Sequence, residues 1–126
     1  MFNRSLLSII EEAGIAVLTL TEGLEKDEFL SSRLTRAETR RQVAIMGESA
    51  ARLALQTQTL FAEVDWSGWR AVARQLGEHG HAEQEALWIA VRSLVPDTLI
   101  WLRVYRKNQP EVFACQPIVD AGEARP

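Results

Sequence analysis

Arg74 and His79 stand with four residues between them, and His81 follows two positions later. A guanidinium offers a planar fork of donors matched to phosphate oxygens, and an imidazole moves a proton near neutral pH, so the pair suits phosphodiester chemistry. On an unbroken helix an offset of five residues turns the two side chains about 140° apart, too far round to act on one atom. Gly77 and Gly80 lie in that stretch. If the helix stops at Gly77, whose missing Cβ tolerates a left-handed cap, Arg74 falls in the last turn and the chain folds back so that the two groups converge. The same residues also fit a structural arrangement, with Arg74 paired to Glu78 or Glu83 and His79 bonded to a backbone carbonyl. A metal site from His79, His81, Glu78 and Glu83 needs a further ligand from elsewhere, and the chain has only these two histidines. Neither a metal nor a cofactor is expected.

Four helical patterns must position this constellation. From Asn3 to Leu20 the residues Leu6, Ile9, Ile10, Ala13, Val17 and Leu20 recur at steps of three and four, which puts them on one face. After a break at Thr21 to Gly23, residues Glu25 to Ser31 read as a short helical turn with Phe29 and Leu30 inward. From Thr35 to Phe61 the series Val43, Met46, Ala50, Leu53, Thr57 and Leu60 predicts one long amphipathic helix. Asp65 caps a third, running from Trp66 to Gly77 with Trp69, Val72 and Leu76 inward. A fourth runs from Ala82 to Tyr105 and is kinked near Leu94 by Pro96. Beyond Tyr105 the prolines 110, 117 and 126 and the apolar patches Val112-Phe113-Ala114 and Ile118-Val119 predict a non-helical arm. The expected architecture is therefore all-α: an antiparallel bundle of four main helices over residues 1–106, with a Pro-containing tail over 107–126.

The composition agrees with one folded domain. The chain has 126 residues, 47% of them apolar and 25% charged, enough apolar surface to fold around a single core. A net charge of −3 argues against bulk electrostatic coating of nucleic acid, so any RNA contact is local. The lone Cys115 closes no intrachain disulfide and reads as inert, which suits a reducing, cytoplasmic setting. Glu11 and Glu12 interrupt the apolar run from Leu6 to Leu20, so neither a signal peptide nor a membrane span is expected.

Two further features bear on partners. Four tryptophans are many for a small helical core, and Trp88 and Trp101 fall off the main stripe of the fourth pattern, so a dimer contact is expected to cover at least one of them. Arg33, Arg36, Arg40 and Arg41 make a locally basic segment, three of them near one helical face. It can meet RNA phosphates or an acidic partner, or form a solvated face with Glu38.

The segments Phe29-Leu-Ser-Ser-Arg33-Leu-Thr-Arg36, Arg40 to Leu53, Trp66, Arg74 to His79 and Leu94-Val-Pro96, in this order, resemble the HepT-like branch of the HEPN superfamily. The likeness spans residues 5 to 105. Met46-Gly47-Glu48-Ser49-Ala50 resembles that family's Ile-Gly-Glu-Ala segment, and the Arg, four residues, His spacing matches its defining motif. The resemblance implies a helical bundle that dimerises so that two Arg/His pairs line one cleft. It also implies a metal-independent endoribonuclease, the toxin of a pair whose antitoxin is an MNT-type nucleotidyltransferase. On that reading His79 is the acid or base, Arg74 stabilises charge on the phosphorane, and Glu48, among Gly47, Ala50 and Ala51, orients one of them. An ion pair of Glu48 with Arg52 fits as well.

Two positions depart from the family pattern. Gln75 stands where the family has Asn, one methylene longer. His81 stands where the family has the Tyr that accepts adenylyl groups from the antitoxin, and imidazole is no equivalent stable acceptor. His81 either adds a second proton-transfer group or marks a catalytically degenerate module that binds a nucleotide or docks the nucleotidyltransferase.

Overall fold

A computed structural model describes residues 2–78 and 80–113 of the chain. These residues form helices joined by short turns, with no strand among them. Helix α1 spans Phe2–Thr21, α2 Lys26–Ser31, α3 Arg33–Arg52, α4 Leu55–Leu60, α5 Trp66–Leu76 and α6 His81–Ile89. A π-helical turn, Ala90–Leu94, then leads into α7, Val95–Asn108, and α8 covers Pro110–Phe113.

The core is built mainly from the faces that the periodicity marks, although Ile9 and Leu60, expected inward, are exposed and Leu7 is buried instead. Leu6, Ile10, Ala13 and Val17 of α1 meet Val43, Met46 and Ala50 of α3, all buried. Burial of this kind contributes roughly 1.5–3 kcal/mol for each large aliphatic side chain. On the other side of α3 lies α5, with Trp69, Val72 and Leu76 inward, while α7 packs along α1. Gly14 permits that last contact: a Cβ there would stand 2.8 Å from the Leu99 side chain. The Glu11–Arg106 ion pair ties the two helices again further along, so they run in opposite senses.

Local signals place two helix starts where expected. Glu25 and Glu28 form a reciprocal capping box on α2, with the Glu25 amide donating to Glu28 Oε1 at 2.8 Å. Asp65 accepts from the Gly68 amide at 2.9 Å and caps α5.

Three expectations need correction, and the expected kink near Leu94 takes a specific form. The predicted helix from Thr35 to Phe61 breaks after Arg52, because Leu53 and Ala54 turn extended, with ψ of 144° at both. Gln58 Nε2 folds back to donate to the Ala50 carbonyl at 2.8 Å, which satisfies a group the broken helix leaves open. Gly77 is not left-handed: it caps α5 at φ −78° and ψ −14°, and the positive φ belongs to Gly80, at 87°. The kink before Pro96 is resolved as the π-helical turn, where the wider winding absorbs the carbonyl that proline cannot bond. Finally, the chain stays helical after Tyr105 through Asn108 and again over Pro110–Phe113, so bundle packing reaches beyond residue 106. Phe113 is buried against Phe61, 5.6 Å between ring centroids, and that anchors α8. Cys115, Pro117, Ile118, Val119 and Pro126 lie outside the described residues.

Each tryptophan finds a neighbour within the chain. Trp69 is buried and its Nε1 donates to Thr98 Oγ1 at 3.0 Å; Trp66 Nε1 is shared between the Gln58 and Phe61 carbonyls, both at 3.0 Å. Trp88 and Trp101 are half-buried, against Phe29 at 5.4 Å and Tyr105 at 6.1 Å between centroids. The indoles by themselves therefore do not require a second subunit.

Candidate functional site

The turn that carries the Arg/His constellation is short. Helix α5 ends at Leu76, α6 begins at His81, and Gly80 starts α6 in a backbone region open essentially to glycine alone, at φ 87° and ψ −138°. His79 lies outside the described residues, and the convergence expected of its imidazole with Arg74 lies there with it.

Arg74 sits in the last turn of α5, as the sequence predicts, and its side chain is exposed. Neither Glu78 nor Glu83, the competing partners, forms a described ion pair with Arg74, and Glu83 is held by Arg40. No described residue forms an ion pair or hydrogen bond with the Arg74 guanidinium. Arg70, one helical turn back on the same face, is exposed and likewise has no described partner. Two guanidiniums about 6 Å apart at their Cβ atoms thus face solvent on one side of α5.

Sequence reasoning names Arg40 only as one of the basic segment and misses what it holds. Its Nε bonds Glu83 on α6, and its Nη2 donates to the Leu76 carbonyl at 2.7 Å, at the end of α5. One side chain from α3 therefore pins both ends of the turn. It also satisfies a carbonyl that the α5 terminus leaves open, with a cation where the helix dipole favours one. The partners are 36 and 43 residues away, so no local spacing announces them.

The rest of the basic segment is also engaged. The Arg36 guanidinium donates to the Leu30 carbonyl, and Arg41 bonds both carboxylate oxygens of Glu38, at 3.0 and 2.7 Å. Hydrogen bonds from Arg41 and then Gln42 lower the Glu38 pKa to about 2, and the same contact raises that of Arg41. Of the four arginines only Arg33 stands exposed without a described partner.

Comparison with protein-family models, with curated proteins and with solved structures finds no match.

No described hydrogen bond or ion pair joins the supporting residues to Arg74. Gln75 is exposed on α5. Glu48 is exposed on α3 and lines a groove of about 250 Å³ with Arg40, Gly47, Ala73, Leu76 and Gly77. It makes no described bond to Arg74. His81 is 86% exposed, with Glu85 at 3.9 Å. Glu85 in turn is held below the usual carboxylate range, chiefly by the hydrogen bond from Lys26 at 3.0 Å, with the charges of Lys26 and His81 acting the same way. Among the described residues no three of His, Cys, Asp and Glu converge as a metal would require, and no helix is long and apolar enough to cross a membrane.

The arrangement offers a guanidinium with no partner among the described residues, beside a pinned turn whose sequence carries a histidine. Its chemistry is that of anion recognition with a proton-transfer group close by in sequence.

Proposed function

We propose that the chain is a metal-independent RNA endonuclease of the HepT-like kind, an antiparallel bundle of four main helical segments acting in the cytoplasm as a toxin beside an MNT-type nucleotidyltransferase. The observation that supports this reading is the guanidinium of Arg74, without a partner among the described residues, next to a turn fixed by Arg40, while Arg36, Arg40 and Arg41 nearby are all taken up by the chain itself.

In this reading a homodimer brings two such turns to one RNA strand. One His79 takes the proton of a ribose 2′-hydroxyl as its oxygen bonds the adjacent phosphorus. The bond from phosphorus to the 5′-oxygen breaks, and the second His79 gives that oxygen a proton. The products are a 2′,3′-cyclic phosphate and a free 5′-hydroxyl. Arg74 holds the non-bridging oxygens as charge builds in the phosphorane, a contribution of the order of 10²–10³ in rate for a donor of this type.

The deciding experiment is cleavage of single-stranded RNA by wild type, Arg74→Ala and His79→Ala with a chelator present. Wild-type cleavage leaving cyclic phosphate ends, lost in both variants, is the expected result; full activity of His79→Ala removes the mechanism.

The second reading is a catalytically degenerate module that binds a nucleotide or docks the nucleotidyltransferase. It is favoured by the exposure of His81, which stands open to a partner and makes no described bond to Arg74. A toxin arrests growth when expressed alone, whereas a docking module is tolerated and binds its partner with Arg74 intact.

A further inference from the structure

Between α3, α4 and α5 lies a groove that the chain's own packing does not fill. It encloses about 410 Å³, with Gly47 and Ala50 in its lining together with Leu55, Trp66 and Arg70. Binding sites for small ligands commonly measure roughly 300–1,000 Å³. Leu55 is 76% exposed there. Trp66 is half-buried, and the Gln58 and Phe61 carbonyls hold its indole N–H at 3.0 Å, so the ring is fixed before any ligand arrives. A Cβ on Gly47 would meet Trp69 and Ala73 only at 3.8 and 3.9 Å, which is ordinary contact, so the packing of α5 on α3 does not demand glycine. What its missing side chain leaves is open space. Gly47 and Ala73 line both this groove and the smaller one that reaches Gly77, so the two are continuous along α5 toward the α5–α6 turn.

The charges along this path are one-sided. Arg70 lines the α5 wall, Arg74 follows one helical turn further on, and neither has a partner among the described residues. Their Cβ atoms are roughly 5–6 Å apart, close to one nucleotide step of a single strand. Glu48 belongs to α3 and lines the part of the groove near Gly77, not the part with Arg70. Asp65, at the start of α5, is occupied in capping the Gly68 amide. Phosphates are therefore drawn to the α5 side, and bases are left facing α3 and α4. A free anion needs no aromatic wall, and an apolar protein segment needs no row of guanidiniums. A single-stranded nucleic acid uses both at once.

We infer that this groove is a base-binding subsite, which holds the nucleotide one step from the phosphate at Arg74, its base against Trp66 and Leu55 and its own phosphate on Arg70. The inference rests on the RNA reading of the α5–α6 turn and adds to it a second point of grip. Stacking and apolar contact accept any base, so the subsite sets the position of the strand more than its sequence.

The test measures binding apart from cleavage. A short, fluorescently labelled 2′-O-methyl RNA strand lacks the attacking hydroxyl, and its binding is followed by anisotropy with chelator present, beside the same backbone with every base removed. Wild type prefers the base-bearing strand about 10-fold. Ala51→Phe, which fills the groove from an exposed position on α3, and Leu55→Gln lose most of that preference. Arg70→Ala weakens both strands alike and lowers the salt slope by about 0.7, the share of one phosphate. All three positions are exposed, and circular dichroism confirms the fold of each variant. Equal binding of the two strands by wild type, or variants that keep the wild-type preference and salt slope, overturns the subsite; the second result is also the one expected if the groove takes a partner protein. RNA cleavage that persists in those variants leaves the proposed function standing without the subsite. A wild type that shows this binding pattern and cuts no RNA keeps the subsite and removes the nuclease, and one that neither binds nor cuts RNA overturns both.

Discussion

The N-terminal half of α3 and the outer face of α5 both carry arginines, and they use them oppositely. On α3 the guanidiniums of Arg36, Arg40 and Arg41 are spent on a carbonyl, on a carbonyl and carboxylate together, and on a carboxylate. On α5 Arg70 and Arg74 face solvent with no described partner. A count of basic residues therefore does not show which guanidiniums the fold leaves open. Arg36, Arg40 and Arg41 are engaged by the chain, and on the proposed function the sparser pair is the one that meets the ligand, because a guanidinium already donating to the chain has less to offer a phosphate.

Substituting one arginine from each region breaks this comparison most directly. Arg74→Ala lowers RNA cleavage by about 10²–10³ and leaves the melting temperature within a degree of wild type, because no described contact is lost. Arg40→Ala does the reverse in emphasis: it leaves the Leu76 carbonyl and the Glu83 carboxylate without their partner and lowers stability by roughly 2 kcal/mol. Cleavage falls only as far as the loosened turn allows. Thermal unfolding and initial rates measured on the same preparations separate the two, and an Arg74 variant that melts early would place it among the structural arginines.

The glycines of the turn sharpen the contrast at a smaller scale. Gly80→Ala forces an L-residue to φ 87° and costs about 1–2 kcal/mol, although a Cβ there meets nothing within 4 Å. Gly77→Ala keeps an ordinary right-handed backbone, with its Cβ 3.3 Å from the Arg74 carbonyl, and changes stability by only a few tenths of a kcal/mol. Equal effects of the two substitutions in urea unfolding would contradict the assignment of the positive φ to Gly80.

What the sequence makes legible follows from how local each cause is. The caps of α2 and α5 depend on residues three apart, and the inward faces of α1, α5 and α7 on steps of three and four, so both can be read directly. The break at Leu53 and Ala54 cannot. Leu53, Ala54, Leu55 and Gln56 are all compatible with a helix, and Thr57 stays buried, so the apolar pattern runs through the break without a signal. What turns the chain is tertiary: buried Leu53 and the reach of Gln58 back to Ala50. Pro96 marks the site of a distortion but not its form as a π turn. In the site, Arg74 at the end of α5 is legible from Gly77 alone. The grip of Arg40 on Leu76 and Glu83 is not, because it joins three helices distant in sequence.

The weakest link in the α3 cluster gives the finest test of what its arginines do. Glu38 binds Arg41 on an exposed surface, so the pair adds little, but its proton dependence has a definite sign. The folded-state pKa of about 2 lies below the ordinary 4.5, so the contribution is complete above pH 4.5 and is lost as pH falls from 4.5 toward 2. Wild type and Glu38→Gln therefore differ slightly in melting temperature at pH 7, and the gap closes across that acid window. Cleavage at pH 7 is the same in both, because Arg41 serves the helix and not the phosphate. A gap that stays constant down to pH 2 would show that Glu38 acts by packing, and a loss of cleavage at pH 7 would return the α3 arginines to the RNA.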